Sequence, residues 1–204
     1  MATRTNRVAW WLVAVLTLVA KSSHATSVAP GIVRVPMRVT RQGKSWRIVL
    51  APALGKAVAA HFLGYSLPRL AWFDTSLNVT VHAPKGDLGP FACIGDFDGN
   101  GLPDAALLLH KQRRRWLLVV LDQSFQGTFR THILERFTAK DIRLWSSILD
   151  HRYTFTLACI DKAQAREEAM VHTKGDAIVF GGPESFTLYY YRQGRYHAVD
   201  DTAE

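Results

Sequence analysis

Between Gly95 and Ala105 the chain reads Asp96-Phe97-Asp98-Gly99-Asn100-Gly101-Leu102-Pro103-Asp104, and here side-chain types and spacing together specify a chemistry. Oxygen-bearing side chains fall at positions 1, 3, 5 and 9 of this run. A hard cation such as calcium takes about six to eight oxygen ligands at roughly 2.3 to 2.6 Å, and alternate side chains of a tightly curled loop can converge on one point. Asp96, Asp98, Asn100 and Asp104 are the expected side-chain ligands, with the Leu102 carbonyl as a backbone ligand. Gly99 and Gly101 permit the positive φ such a curl needs, and Pro103 pushes Leu102 toward extended backbone as the chain leaves as a strand. The alternative is a set of Asx-turns that hold no metal. A helix-loop-helix calcium site would place a bidentate Glu at position 12, where this chain has Leu107 inside an apolar run.

Other chemistries find less in the sequence. An Asp-x-Asp phosphatase using Asp96 and Asp98 on magnesium is a remote alternative: it needs Thr or Val two residues after Asp98, and Asn100 stands there. Gly-x-Ser-x-Gly, His-Glu-x-x-His and P-loop motifs are absent. The histidines are scattered without a His-x-x-x-His spacing, so zinc is not expected. Lys111-Gln112-Arg113-Arg114-Arg115 lies between two apolar runs. It reads as a charged hairpin tip or, functionally, as a docking point for a polyanion such as glycan, lipid or nucleic acid. Nucleic acid is disfavoured, because exposed aromatics are not interleaved with the run. Tyr189, Tyr190, Tyr191 and Tyr196 read as cross-strand packing or as an aromatic binding face. Asn78-Val79-Thr80 is a glycosylation acceptor in a eukaryotic source. Asp176 lies far outside the Asp-rich run and reads as unconnected with it.

The run Gly95 to Asp104, with the apolar strand that follows, resembles the Asp-x-Asp-Gly-x-Gly-x-x-Asp unit of FG-GAP and VCBS repeats. That resemblance implies a structural calcium loop between strands, on Asp96, Asp98, Asn100, Leu102 and Asp104. It covers residues 95–121, with a weaker likeness over residues 188–199. One clear copy is present, and no second segment establishes a repeat array, so a partial propeller-blade-like unit is expected rather than a full propeller. Phe180-Gly181-Gly182-Pro183 lies too far downstream to be the family's namesake.

The elements that must position this loop read as mainly β, a β-rich α+β arrangement of antiparallel strands with one N-terminal amphipathic helix. Residues 32–40 and 46–50 form a hairpin around the turn-rich Arg41-Gln42-Gly43-Lys44-Ser45. Pro52 opens a helix with Leu54, Ala57, Val58, His61 and Phe62 on one face and Gly64 just past its end. A possible strand at residues 77–82 lies in a Pro- and Gly-rich connection. Short strands are then expected at residues 105–110, 116–121, 128–134, 153–159, 177–180, 186–191 and 196–199, while residues 141–149 read as short helix or strand. The sequence divides into a signal peptide, 1–25, and one mostly-β domain, 26–204. Within that domain, 26–90 is the hairpin and helix region and 91–204 the β region that bears the resemblance.

Export is read from Arg4 and Arg7 ahead of a thirteen-residue apolar run at residues 8–20, too short for the roughly 20 residues a spanning helix needs. Ser23-His24-Ala25 places small residues at a cleavage site before Thr26; the alternative is an uncleaved anchor. Arg4, Arg7 and Lys21 take three of the 25 basic residues with them, leaving 22 against 17 acids, a net charge of +5. Cys93 and Cys159 suit a periplasmic or secreted address, either as one disulfide closing a loop of about 67 residues or as two buried thiols. The expectation is an exported, non-catalytic calcium-binding module. Its partner would be a protein or a cell-surface ligand, with no stable membrane span once the signal is removed.

Overall fold

A computed structural model describes residues 33, 35–42, 45–73, 90–143, 155–182 and 185–202. The segment expected as a signal peptide, Asn78, the strand expected at 77–82 and most of 141–149 lie outside them. The chain is mainly β, in three antiparallel sheets that do not close into a barrel.

Strands β1 (Met37–Gln42) and β2 (Ser45–Leu50) make the N-terminal hairpin. The ladder runs to Gln42 opposite Ser45, so Arg41, Gln42 and Ser45, expected in the turn, are strand residues. Helix α1 (Pro52–His61) begins on its proline, whose missing N–H costs nothing in a first turn. It buries Leu54 and Val58, followed by Phe62. His61, expected on that buried face, is exposed. It sits in the last turn, where an imidazole complements the carbonyl end of the helix and the chain departs from helical geometry at Phe62. Gly64 then takes φ +80°, a left-handed conformation that glycine adopts without strain.

The rest of the molecule is two four-stranded meanders. The first is β3 (Ala92–Gly95), β4 (Asp104–Lys111), β5 (Arg115–Gln123) and β6 (Phe129–Thr138), followed by the short helix α2 (Ala139–Arg143). The second is β7 (Thr156–Ile160), β8 (Ala177–Gly181), β9 (Ser185–Arg192) and β10 (Arg195–Thr202). From Ala105 to Leu109 and from Trp116 to Gln123, β4 and β5 are buried without alternation, as strands covered on both faces must be. One face meets the second meander, where Phe137 packs on Phe180 at 5.2 Å and Trp116 on Phe155 at 6.2 Å between ring centroids. Met37, Leu54, Val58 and Phe62, from the hairpin and α1, join the same core.

Helix α3 (Lys162–Ala169) is not among the expected elements. Its N-cap is Asp161, whose carboxylate accepts the N–H groups of Ala163 and Gln164 at 2.8 and 2.9 Å. Ala165 and Val171 cover Ile160, Ala177 and Leu188 in a small second cluster. By the two-residue alternation of a strand, this is the face of the second meander opposite Ile178, Phe180 and Tyr189. Each meander has the strand order of a propeller blade. With α3 across one face, however, the second meander is closed off where a further blade would stack.

Cys93 and Cys159 are joined by a disulfide, Cα to Cα 5.8 Å, linking the first strands of the two meanders. Of the two arrangements left open by the sequence, the bridge is the one formed.

Candidate metal centre

The 96–104 segment is the connection between β3 and β4, and its curl is built from Asx-type hydrogen bonds. Asp98 Oδ1 accepts the Asn100 N–H at 3.1 Å, and Asn100 Oδ1 accepts the Leu102 N–H at 2.7 Å. Asp96 Oδ2 reaches across the curl to accept the Gly101 N–H at 2.9 Å. Gly99 and Gly101 take φ +73° and +82°, the left-handed values expected of them. Phe97 points the other way and is fully buried, anchoring the loop to the core.

Asp104 is the pivot. Fully buried at the start of β4, it accepts the N–H groups of Phe97 at 2.9 Å and Asp98 at 3.5 Å through Oδ2, and of Gln123 at 2.7 Å through Oδ1. Burial nonetheless pushes its pKa up from 3.8 to about 8, against those backbone donors and helped by the charges of Asp122 and Asp98. Asp98 is also raised, first by burial, with its neighbours Asp122 and Asp96 adding to the effect. The Asn100 N–H and the Arg130 charge pull Asp98 the other way without offsetting its burial.

Each of Asp96, Asp98 and Asp104 offers an oxygen such that all three oxygens lie within 4.8 Å of one another. Asp96 Oδ1 is shut off from solvent and accepts no hydrogen bond among the described residues. A buried carboxylate oxygen without a donor is costly, and a cation placed among the three acids would satisfy it. The donor set, all carboxylate oxygen, suits a hard divalent ion such as calcium or magnesium. Of the other two expected ligands, Asn100 accepts the Leu102 N–H through Oδ1, a bond that uses the Leu102 amide and not the carbonyl expected to face the ion. The Asn100 amide further donates to Asp98 Oδ2 at 3.1 Å and to the Gln123 carbonyl at 2.8 Å. In this arrangement Asn100 braces the loop against β5.

The sequence reading missed a surrounding shell. Asp176, expected to be unconnected, lies against the loop: its Oδ2 accepts the Asp96 N–H at 2.9 Å and its own N–H donates to the Asp96 carbonyl at 2.8 Å. Burial raises its pKa, with the Asp96 charge adding to the shift. Gly175 is the enabling residue, since a Cβ there would overlap the carbonyl oxygens of Asp96 and Phe97. On the other side Arg130 lies 3.1 Å from Asp122 Oδ2 and 3.7 Å from Asp98 Oδ2. Asp122, nearly buried, is also approached by His132 Nε2 at 3.0 Å and receives the Tyr196 hydroxyl at 2.6 Å. Tyr191 accepts from Arg130 at 3.0 Å, and the Tyr189 hydroxyl donates to Glu135. The tyrosines are therefore cross-strand and inter-sheet packing groups, with Tyr190 stacked on His197.

The basic run is a hairpin tip, as expected. Lys111 pairs with Arg115, and Gln112 and Arg113 take positive φ in the turn. No protein-family model, curated protein or solved structure matches this chain.

Proposed function

We propose that this is an exported, non-catalytic module in which Asp96, Asp98 and Asp104 bind calcium, and that the ion stiffens the junction between its two meanders while the surface engages a protein or cell-surface partner. The observation that carries the reading is the convergence of one oxygen from each of three carboxylates to within 4.8 Å, with an Asp96 oxygen shut off from solvent and without a hydrogen bond among the described residues. The likeness of the loop to FG-GAP and VCBS units supports calcium over magnesium. Ordered water and backbone carbonyls complete the coordination beyond the three acids. An affinity of roughly 0.1 to 1 mM is expected of an extracellular site.

Calcium titration followed by thermal melting tests this. An ion that binds only the folded protein stabilises it by about 2.7 kcal/mol at a hundredfold excess over the dissociation constant. Asp98→Ala should abolish most of that gain. Asp200→Ala, which removes an exposed carboxylate held by Thr187 on β9, should leave it intact. If melting of the unaltered protein is the same in millimolar calcium and in chelator, the loop is a turn without a metal. Export has its own test, because mass spectrometry of released protein should find an N-terminus at or near Thr26.

A further inference from the structure

The end of the first meander opposite the Asp loop carries a different surface. The turn between β4 and β5 presents Arg113, Arg114 and Arg115, all exposed. The Ala139 N–H donates to the Arg114 carbonyl at 3.0 Å, and Arg115 pairs with Thr138, which brings exposed Arg136 and Lys140 to the same end. Arg113 stacks its guanidinium 4.4 Å over Trp72, three residues after Arg69, which is also exposed. Asp141, the acid in this stretch, turns back onto the Thr138 amide and hydroxyl. The result is a concentrated positive surface.

Beside it stands Leu63, 82% exposed just past the end of α1. The Lys111 ammonium approaches the Leu63 carbonyl at 3.4 Å, which fixes Leu63 next to the tip. A linear polyanion needs cations along a polar track and gains nothing from a protruding leucine. An anionic bilayer offers both a plane of negative charge and an apolar layer beneath it. We infer that this end of the molecule docks on the surface of an anionic lipid bilayer, with the arginine tip and Lys140 at the headgroups and Leu63 inserted between them. The contact is peripheral: among the described residues no helix is long and apolar enough to cross a membrane.

The test uses protein released from cells expressing the full chain, in flotation with vesicles of phosphatidylcholine alone or with a third phosphatidylglycerol. Binding is expected to the anionic vesicles only, and to fall as salt rises, because attraction at the surface is screened. Arg114→Glu/Arg115→Glu should weaken it by about tenfold or more. Leu63→Ser, at an exposed position, should weaken vesicle binding by about tenfold while leaving retention on heparin unchanged. Equal binding to neutral vesicles, or none to anionic ones, overturns the proposal. So does a Leu63→Ser protein that binds vesicles normally while charge reversal removes heparin and vesicle binding together, since the surface then recognises anionic polymers. All variants are first required to melt as the unaltered protein does.

Discussion

Asp104 shows how much one side chain can be asked to do. It closes three backbone hydrogen bonds, sits without solvent, and has a pKa raised to about 8 by that burial. The folded, metal-free protein therefore holds a proton on this group more tightly than the unfolded chain, whose carboxyl titrates near 3.8. By linkage, the associated stability is fully present below pH 4 and is lost as pH rises through about 8. A bound cation reverses the preference by stabilising the ionised form. The gain in melting temperature from calcium should thus grow between pH 5 and pH 8, and a gain that is flat over that window would mean the ion does not see Asp104. The three clustered carboxylates were legible in the sequence, because acids at short spacing around two glycines constrain one another locally. Asp176, Asp122 and Arg130 were not, since they reach the loop across gaps of tens of residues that no local pattern encodes.

At the scale of elements, the β content and most strand positions followed from apolar runs between turn residues, while α3 was missed. Its residues, Lys162-Ala163-Gln164-Ala165-Arg166-Glu167-Glu168-Ala169, form a short polar helix with little apolar periodicity; the Asp161 cap with Gln164 three residues on was the signal available. Asp161→Ala should cost about 1 kcal/mol in a denaturant melt, with an unchanged calcium response. That helix also conceals a correspondence. Ala92-Cys93-Ile94 lies in the first strand of one meander, one residue before its end, and Ala158-Cys159-Ile160 ends the first strand of the other; Asp104 begins the second strand of one and Asp176 precedes that of the other. Ile94 pairs with Ala105 and Ile160 with Ala177, Cys93 with Ala106 and Cys159 with Ile178. Asp104 and Asp176 thus occupy equivalent places, and the connections between them differ: a curled acidic loop in one, a capped helix in the other. No repeat was legible because the intervening segments differ in length and composition. Gly175, at the end of the helical connection, permits the two to touch. Gly175→Ala should destabilise by about 1 to 3 kcal/mol, as overpacking does, and should blunt the calcium response by displacing Asp96 and Phe97. A variant with unaltered melting and calcium response would show that the contact is not maintained.

For the whole molecule, the disulfide and the acidic loop act on the same seam. Cys93 and Cys159 tie β3 to β7, and within a few residues Asp96 is held by Asp176 through two hydrogen bonds. Below them the two meanders share one core through Phe137, Phe155 and Phe180. Two restraints on one junction are partly redundant, so removing the first should raise dependence on the second. The bridge spans residues 66 apart, and in the chain-entropy account it stabilises by about 4 kcal/mol through the unfolded state. Cys93→Ala/Cys159→Ala should lose a large part of that stability, and alkylation of the unaltered protein without reductant should label neither cysteine. On the proposed reading, a calcium ion across Asp96, Asp98 and Asp104 would keep the β3–β4 loop shaped to receive Asp176, so the double variant should recover proportionally more of its stability on calcium addition than the bridged protein does. The readout is the interaction in a cycle of four melts, bridged and unbridged, with calcium and with chelator. Strict additivity of the two effects would mean that metal and disulfide act independently, and that the ion does not reinforce the seam the bridge ties.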